Sequence, residues 1–220
     1  VNGYTGNYST SYDDFNFNIN NIDLNLSYTY NSQNDEIDLM GKGWTFGASS
    51  KLVNSIYDDK KYVYLPNGSV NIFTKKDGTN EYECMNSRNK LVENNNTFEL
   101  VTLAMTRYVY NSNGYLYKVI DKYGNEINLT LDAKGKILAL TTYGNKAYTF
   151  TYENEKISKI TDPIGREARY LYDDKGLLCQ TIGVDGKSTY FSYDNDGYLI
   201  KILEENDNNE HVIVNEMTYI

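Results

Sequence analysis

Hydrophobic and aromatic positions fall in short runs along this chain, each ended by a turn bearing Gly, Asn or Asp. Ile22-Asp-Leu-Asn-Leu-Ser-Tyr-Thr-Tyr30 alternates over nine residues. Strand side chains point to opposite faces in turn, so Ile22, Leu24, Leu26, Tyr28 and Tyr30 share one face and the segment predicts an amphipathic strand. Tyr62-Val-Tyr-Leu-Pro-Asn-Gly68-Ser-Val-Asn-Ile-Phe73 reads as strand, turn, strand, with a further turn at Lys76-Asp77-Gly78. Asn94-Asn-Asn96 reads as a loop between two halves of the chain. Residues 1–18 show no period and are expected to form a loosely docked arm.

From about residue 108 the pattern repeats at about 20 or 21 residues. A first slot holds Tyr110, Leu131, Tyr152, Tyr172 and Tyr193, and a second holds Leu116, Ile137, Ile157, Leu178 and Leu199. A third holds Val119, Leu140, Ile160 and Ile202, with the fourth copy offset at Thr181-Ile182. Between the first two slots lie Asn111-Ser-Asn-Gly114, Asp132-Ala-Lys-Gly135, Asp173-Asp-Lys-Gly176 and Asp194-Asn-Asp-Gly197; copy three has Glu153-Asn-Glu-Lys156 and lacks the Gly. A second turn closes each unit at Gly124, Gly144, Gly165 and Gly186, and the fifth copy has the Asn206-Asp-Asn-Asn209 run instead. Asp or Asn followed three residues later by Gly suits a turn that ends at positive φ. Leu116 and Val119 are three apart, which breaks strict alternation; either a bulge flips the register or both faces are buried. One such unit cannot bury its own face, so neighbours must stack. The expectation is an all-β fold of antiparallel hairpin repeats forming a curved, open, ribbon-like sheet. Its parts are an arm over 1–20, a β module with diverged repeats over 21–105, and about five repeats over 106–220.

Composition narrows the class. With 23 Tyr, 16 Gly and 2 Pro in 220 residues, the chain is neither disordered nor collagen-like. A net charge of −9 argues against a nucleic-acid partner, and no apolar run is long enough for a membrane span. Cys84 and Cys179 supply neither a disulfide framework nor a zinc spacing. Residue 1 is Val with no apolar signal core after it, which reads as an excised segment or processed product.

The Tyr-x-Tyr-Asp-x-x-Gly-x-Leu-x-x-Ile pattern, clearest at Tyr170–Leu178 and Phe191–Ile202, resembles the RHS/YD-repeat family, as does the inter-repeat turn Asp162-Pro-Ile-Gly165. Upstream, Leu26-Ser-Tyr-Thr-Tyr-Asn-Ser32, Gly41-Lys-Gly-Trp-Thr-Phe46 and Leu65-Pro-Asn-Gly-Ser69 resemble the segment that precedes such repeats. The resemblance implies part of a hollow β-shell of the kind found in bacterial polymorphic toxins, wall-associated proteins and teneurins. It implies a secreted or cell-surface bacterial location, and as partners the neighbouring repeats and a C-terminal toxin or effector domain of a longer chain. About five units cannot close a shell, so the chain is expected to be an early part of that protein. Such families often end in a self-cleaving Asp-Pro motif, but Asp162-Pro163 lies mid-array in a repeat turn and no protease role is carried onto it.

Candidate chemistry is sparse. The single His211 gives Ser-His or Cys-His catalysis little to work with, and the cysteines read as packed side chains, so no enzyme is expected. Asp194-Asn-Asp196-Gly197 resembles the opening of a calcium loop, but the other copies hold Asn-Ser-Asn-Gly and Asp-Ala-Lys-Gly in the same slot and turn chemistry explains them all; no metal or cofactor is expected. Repeating Tyr is first a packing device, and Trp44 reads as a buried anchor. Five Tyr outside the main slot, Tyr115, Tyr117, Tyr123, Tyr143 and Tyr198, are the candidates for stacking on sugar rings, which makes a cell-surface carbohydrate-binding adhesin the alternative. A sheet fragment with unpaired edges is also expected to self-associate.

Overall fold

The computed structural model describes residues 7–15, 22, 24–34, 37–65, 69–206, 208 and 210–218, and these are all-β, in antiparallel sheets. Two compact units emerge, each discontinuous in sequence. A terminal unit holds Val1–Phe17, Leu26–Gly47 and Thr149–Ile220; a middle unit holds Asn18–Asn25 and Ala48–Tyr148.

The terminal unit begins with β1 (Ser9–Asp13) and β2 (Ser27–Asn31). A small hairpin of β3 (Ile37–Asp38) and β4 (Gly41–Lys42) follows, then β5 (Trp44–Phe46). β2 lies between β1 and β5, antiparallel to both. The middle unit is a meander in which each strand pairs with the next. It runs through β6 (Lys51–Asn54), β7 (Lys60–Tyr64), β8 (Val70–Lys75), β9 (Glu81–Cys84) and β10 (Lys90–Asn94). It continues through β11 (Thr97–Val101), β12 (Arg107–Tyr110), β13 (Leu116–Ile120), β14 (Glu126–Leu131) and β15 (Ile137–Thr142). β16 (Lys146–Glu153) carries the chain into the terminal unit. There β17 (Lys156–Thr161), β18 (Glu167–Tyr172), β19 (Leu178–Ile182), β20 (Ser188–Tyr193), β21 (Leu199–Glu205) and β22 (His211–Glu216) form a second meander.

One turn chemistry serves both kinds of hairpin. In the Asn111, Asp132, Asp173 and Asp194 turns, the side-chain Oδ1 accepts the N–H groups two and four residues on. Asp121, Asp162 and Asn206 do the same in the turns that link one repeat to the next. In the fifth copy, which has the Asn206–Asn209 run instead of a glycine, the Asn206 carboxamide oxygen thus keeps the role of the Asp carboxylates. Asx side chains satisfy these amides because they reach their own backbone two residues ahead. The same backbone loop recurs at Thr102–Thr106, with Met105 at φ 62° where the turns at Asp121, Asp162 and Gly183 have Gly124, Gly165 and Gly186. Sequence reading missed this upstream copy because Met hides the glycine signal.

Bulges resolve the three-residue spacing. The register shifts next to Tyr110, Leu131, Tyr152, Tyr172 and Tyr193, so each first-slot residue faces a second-slot residue and the next position is skipped. The skipped residues are Tyr117, Leu138, Ser158, Cys179 and Ile200. An extra residue in one strand flips the alternation behind it, which puts Leu116 and Val119 on one face. Of the two open alternatives, the bulge is correct. The fourth copy is not offset: Thr181 pairs with Tyr170 as Ile160 pairs with Phe150 and Ile202 with Phe191, and Thr181 is buried in the slot.

Three other expectations change. Asn94-Asn-Asn96 is no loop between halves: Asn94 pairs with Thr97, and Asn95 and Asn96, both at positive φ, form the tight turn of the β10–β11 hairpin. Copy three uses the same solution, with Asn154 and Glu155 at positive φ, which suits a two-residue hairpin. Residues 9–13, expected as a loose arm, form β1, with Tyr8 and Phe15 buried on either side. Ile22, Leu24, Leu26, Tyr28 and Tyr30 are all buried as expected, but the regular strand starts only at Ser27. The turn through Pro66–Gly68 lies outside the described residues, although β7 and β8 pair on either side of it.

The middle unit is curved. The Leu52 N–H donates to Gly114 O at 2.8 Å, and Lys51 bridges to Tyr115, so β6 meets the β12–β13 turn from which six pairings separate it. Ser50 Oγ lies 2.8 Å from the Tyr110 hydroxyl and donates to Tyr64 O, tying that end together.

Candidate functional site

The densest set of specific contacts lies in the terminal unit, where the N-terminal segment docks on one face of β16–β22. Trp44 is fully buried at its centre, as expected of an anchor, with the rings of Phe191, Tyr30 and Tyr28 at 5.0, 5.4 and 5.5 Å. Tyr12 stacks on Tyr28 at 5.6 Å and meets Phe191 edge-on, and Phe46 meets Phe150 edge-on at 5.8 Å. Tilted and edge-on pairs of this kind add about 0.5–1.5 kcal/mol each beyond area burial.

Hydrogen bonds set the register of this docking. A bulge disrupts the ladder and leaves backbone groups to be satisfied elsewhere. Just before two bulges, the Ile157 N–H donates to Leu39 O at 2.8 Å and the Leu199 N–H donates to the Tyr30 hydroxyl at 3.0 Å. Both acceptors belong to the N-terminal segment. Tyr172 donates to Ile157 O at 2.7 Å and Tyr193 to Leu178 O at 2.8 Å, each reaching back one repeat. The repeating Tyr is thus a lock between neighbouring hairpins. Tyr193 also accepts from Trp44 Nε1 at 2.9 Å, which joins the lock to the anchor. Burial pushes the Tyr172 and Tyr193 hydroxyls well above their ordinary range, so they stay protonated donors.

Two polar pairs border this aromatic cluster. Tyr170 donates to Asp14 Oδ2 at 2.8 Å, and Tyr28 donates to Thr181 Oγ1 at 3.2 Å, which accounts for a threonine in an otherwise aliphatic slot. Burial pushes the Asp14 carboxyl up; the Tyr170 hydrogen bond pulls against that, and the Asp13 and Asp185 charges add to it. Burial and the Asp14 charge together raise Tyr170 and Tyr28. Burial likewise brings Tyr12 up to about 12.

The five Tyr candidates separate. Tyr123 and Tyr143 are 71% and 82% exposed, both on turns of the middle unit. Tyr115, Tyr117 and Tyr198 are half-buried. The Tyr115 ring fills the space over Gly135, where a Cβ would come within 2.5 Å of it, and Tyr117 is a bulge residue. Lys42 Nζ sits 5.3 Å from the centre of the Tyr198 ring. Elsewhere in the middle unit, Lys61 Nζ lies 4.5 and 5.2 Å from the Phe98 and Tyr82 ring centres, and Tyr82 donates to Glu93 at 2.7 Å. Lys122 Nζ likewise lies 4.9 Å from the centre of the Tyr123 ring, so lysines sit over two of the five candidate rings.

The remaining candidates have structural partners. Asp194 Oδ1 is engaged by the amides of Asp196 and Tyr198, the same arrangement that Asn111 makes. Cys84 and Cys179 are free and half-buried, and burial pushes the Cys179 thiol up, which makes a thiolate scarce near neutral pH. His211 is exposed on β22, its ring tilted against that of Tyr190 at 4.6 Å and its Nε2 3.6 Å from Glu205 Oε1.

A family described as a domain of unknown function (DUF6531) matches residues 1–73, a stretch that includes Trp44 and the docking strands β1, β2 and β5. A search of curated proteins gives no match. Among the described residues, no helix is long and apolar enough to cross a membrane.

Proposed function

We propose that the chain is a non-enzymatic structural module, part of an RHS/YD-repeat β-shell that encloses or displays a C-terminal effector domain of a longer, secreted or surface-exposed protein. The observation that supports this reading is the docking of the N-terminal segment on backbone groups left by the repeat bulges, which gives a stacked hairpin ribbon a defined starting layer. A shell works sterically: it keeps solvent and proteases from what it surrounds, and its walls need order rather than a reactive group.

The test is the coding sequence beyond residue 220 together with limited proteolysis of its full product. Further bulged hairpins and a dissimilar C-terminal domain that resists protease until the repeats are cut are the expected result. A product without additional repeats, or with a C-terminal domain cleaved as fast as the free domain, would contradict it.

The exposure of Tyr123 and Tyr143 favours a second reading, a carbohydrate-binding adhesin. On a glycan array that reading requires binding that disappears in Tyr123→Ala and Tyr143→Ala while the fold is kept; absence of binding to every glycan removes it.

A further inference from the structure

The β12–β13 turn differs from its counterparts in one residue. Ahead of the turn glycine, copies two, four and five hold Lys134, Lys175 and Asp196, whereas the first copy holds Asn113 before Gly114. Asn2-Gly3 and Asn67-Gly68 lie outside the described residues, so Asn113-Gly114 is the one Asn-Gly pair among the described residues. Asn113 is exposed, and its carboxamide makes no hydrogen bond among those residues. Gly114, by contrast, is buried. Its N–H donates to Asn111 O at 2.9 Å, and its carbonyl accepts from the Leu52 N–H at 2.8 Å. Leu52 O closes over the glycine as well, so that a Cβ there would run into it.

Asparagine followed by glycine is prone to one reaction. The glycine nitrogen, once a base has taken its proton, attacks Asn Cγ; the side-chain nitrogen leaves as ammonia and a five-membered succinimide remains. Water then opens the ring at one of its two carbonyls. The products are aspartate and isoaspartate, and in the second the main chain runs through Cβ and gains one atom. Glycine favours ring closure because it has no Cβ to obstruct the approach. In this turn the reacting nitrogen is directed elsewhere. Its N–H faces Asn111 O, and the residue that would have to turn is held from the other side by Leu52. The reaction therefore waits for a local opening in which β6 leaves the turn, a fluctuation of the kind folded proteins undergo in separate parts. Ser50 steadies the same end of β6, donating to Tyr64 O and lying 2.8 Å from the Tyr110 hydroxyl.

We propose that Asn113 is a modification site, converted through a succinimide to isoaspartate and aspartate when β6 releases the β12–β13 turn, and that the isoaspartyl form keeps β6 from returning. The added main-chain atom falls between Asn113 Cα and the Gly114 nitrogen, inside the hydrogen-bonded turn. It displaces both the N–H that Asn111 accepts and the carbonyl that Leu52 binds. The site is thus an irreversible record that this part of the middle unit has opened. Lys134 and Lys175 cannot form the ring, which confines the asparagine reaction to the one inner turn that β6 covers. None of this depends on whether the chain walls off a passenger domain, so its failure and the failure of the shell reading are separate results.

Incubation of the chain at mildly alkaline pH tests the proposal, with peptide mapping by mass spectrometry to read conversion at Asn113 and hydrogen exchange to read the Leu52 amide. Asn113 is expected to convert more slowly in the folded chain than in the same chain unfolded by guanidinium. Ser50→Ala leaves the Gly114 turn itself intact and should speed conversion about fivefold, the factor by which one lost hydrogen bond shifts an opening equilibrium. Leu52 exchange should rise with it, and in the isolated isoaspartyl form the Leu52 amide should have lost its protection, while circular dichroism shows the β-structure retained. Asn113→Lys should stop the reaction and leave Leu52 protected. Conversion as fast in the folded chain as in guanidinium, an unchanged rate in Ser50→Ala, or a Leu52 amide still protected in the isoaspartyl form would overturn the proposal.

Discussion

Gly114 and Gly124 hold the same position in their turns, at φ 81° and 88°, yet their surroundings differ. A Cβ on Gly114 would lie 2.0 Å from Leu52 O, whereas one on Gly124 meets nothing within 4 Å. Left-handed backbone costs an L-residue about 1–2 kcal/mol, so Gly124→Ala should lower stability by about that much. Gly114→Ala should lose clearly more, because β6 must also move and the Leu52–Gly114 hydrogen bond with it; urea unfolding of the two variants makes the comparison. Ionisable residues divide by sign in the same local way. At Asp162, burial pushes the carboxyl up, but the Arg166 side chain and the amides of residues 166 and 164 outweigh it and hold the group below its ordinary value. Its contribution is present above the unfolded pKa and is lost as pH falls through the folded one. Asp14 is the reverse case. Its raised value means a contribution that is fully present below the unfolded carboxylate pKa and lost as pH rises through the folded pKa. Asp14→Asn, which can still accept from Tyr170, should therefore be more stable than the parent at pH 7 and converge with it near pH 4 or below. Urea titrations at the two pH values measure this, and a variant weaker than the parent at pH 7 would be wrong for it.

At the level of elements, the bulged hairpin explains both what sequence reading could recover and what it could not. Slots and turns were visible because apolar positions recur and Asx–Gly pairs need particular backbone angles. The bulge was visible only as one of two alternatives, since the Leu116–Val119 spacing fits either; pairing is a property of two strands. Thr181 looked like a break in the pattern because its burial depends on the Tyr28 hydroxyl, 153 residues away in sequence. The docking role of Tyr30 and Leu39 was likewise hidden, because it rests on Leu199 and Ile157 amides that only the folded bulges leave available. The candidate Tyr set came from exclusion from the main slot, which says nothing about Lys42 over Tyr198 or the ring of Tyr115 over Gly135. The Tyr lock makes its own prediction. Tyr193→Phe removes the donor to Leu178 O and the acceptor of Trp44 Nε1, leaving two buried polar groups without that partner. The cost expected is about 1–3 kcal/mol per group, against almost none for Tyr123→Phe, whose ring is exposed; thermal unfolding distinguishes them.

Across the whole molecule, sequence order and compactness part company: the first described strands and the last belong to one unit, with the middle unit inserted between them. This makes the N-terminal segment an integral layer of the terminal unit. The only tryptophan is buried in that layer, so its emission reports on docking directly. Trp44→Ala should destabilise the terminal unit by about 3–5 kcal/mol, the usual cost of removing a large core side chain. Deleting residues 7–47 should expose the face of β16–β22 and increase binding of an apolar dye. The most direct measurement is amide hydrogen exchange at Leu199, whose N–H is bonded to the Tyr30 hydroxyl 169 residues away in sequence. If the N-terminal segment satisfies the backbone groups left by the bulges, this amide is protected as strongly as its ladder-paired neighbours and loses that protection selectively in Tyr30→Phe. Fast exchange at Leu199 in the parent chain, or protection unchanged in Tyr30→Phe, would contradict the docking of that segment on the repeat face.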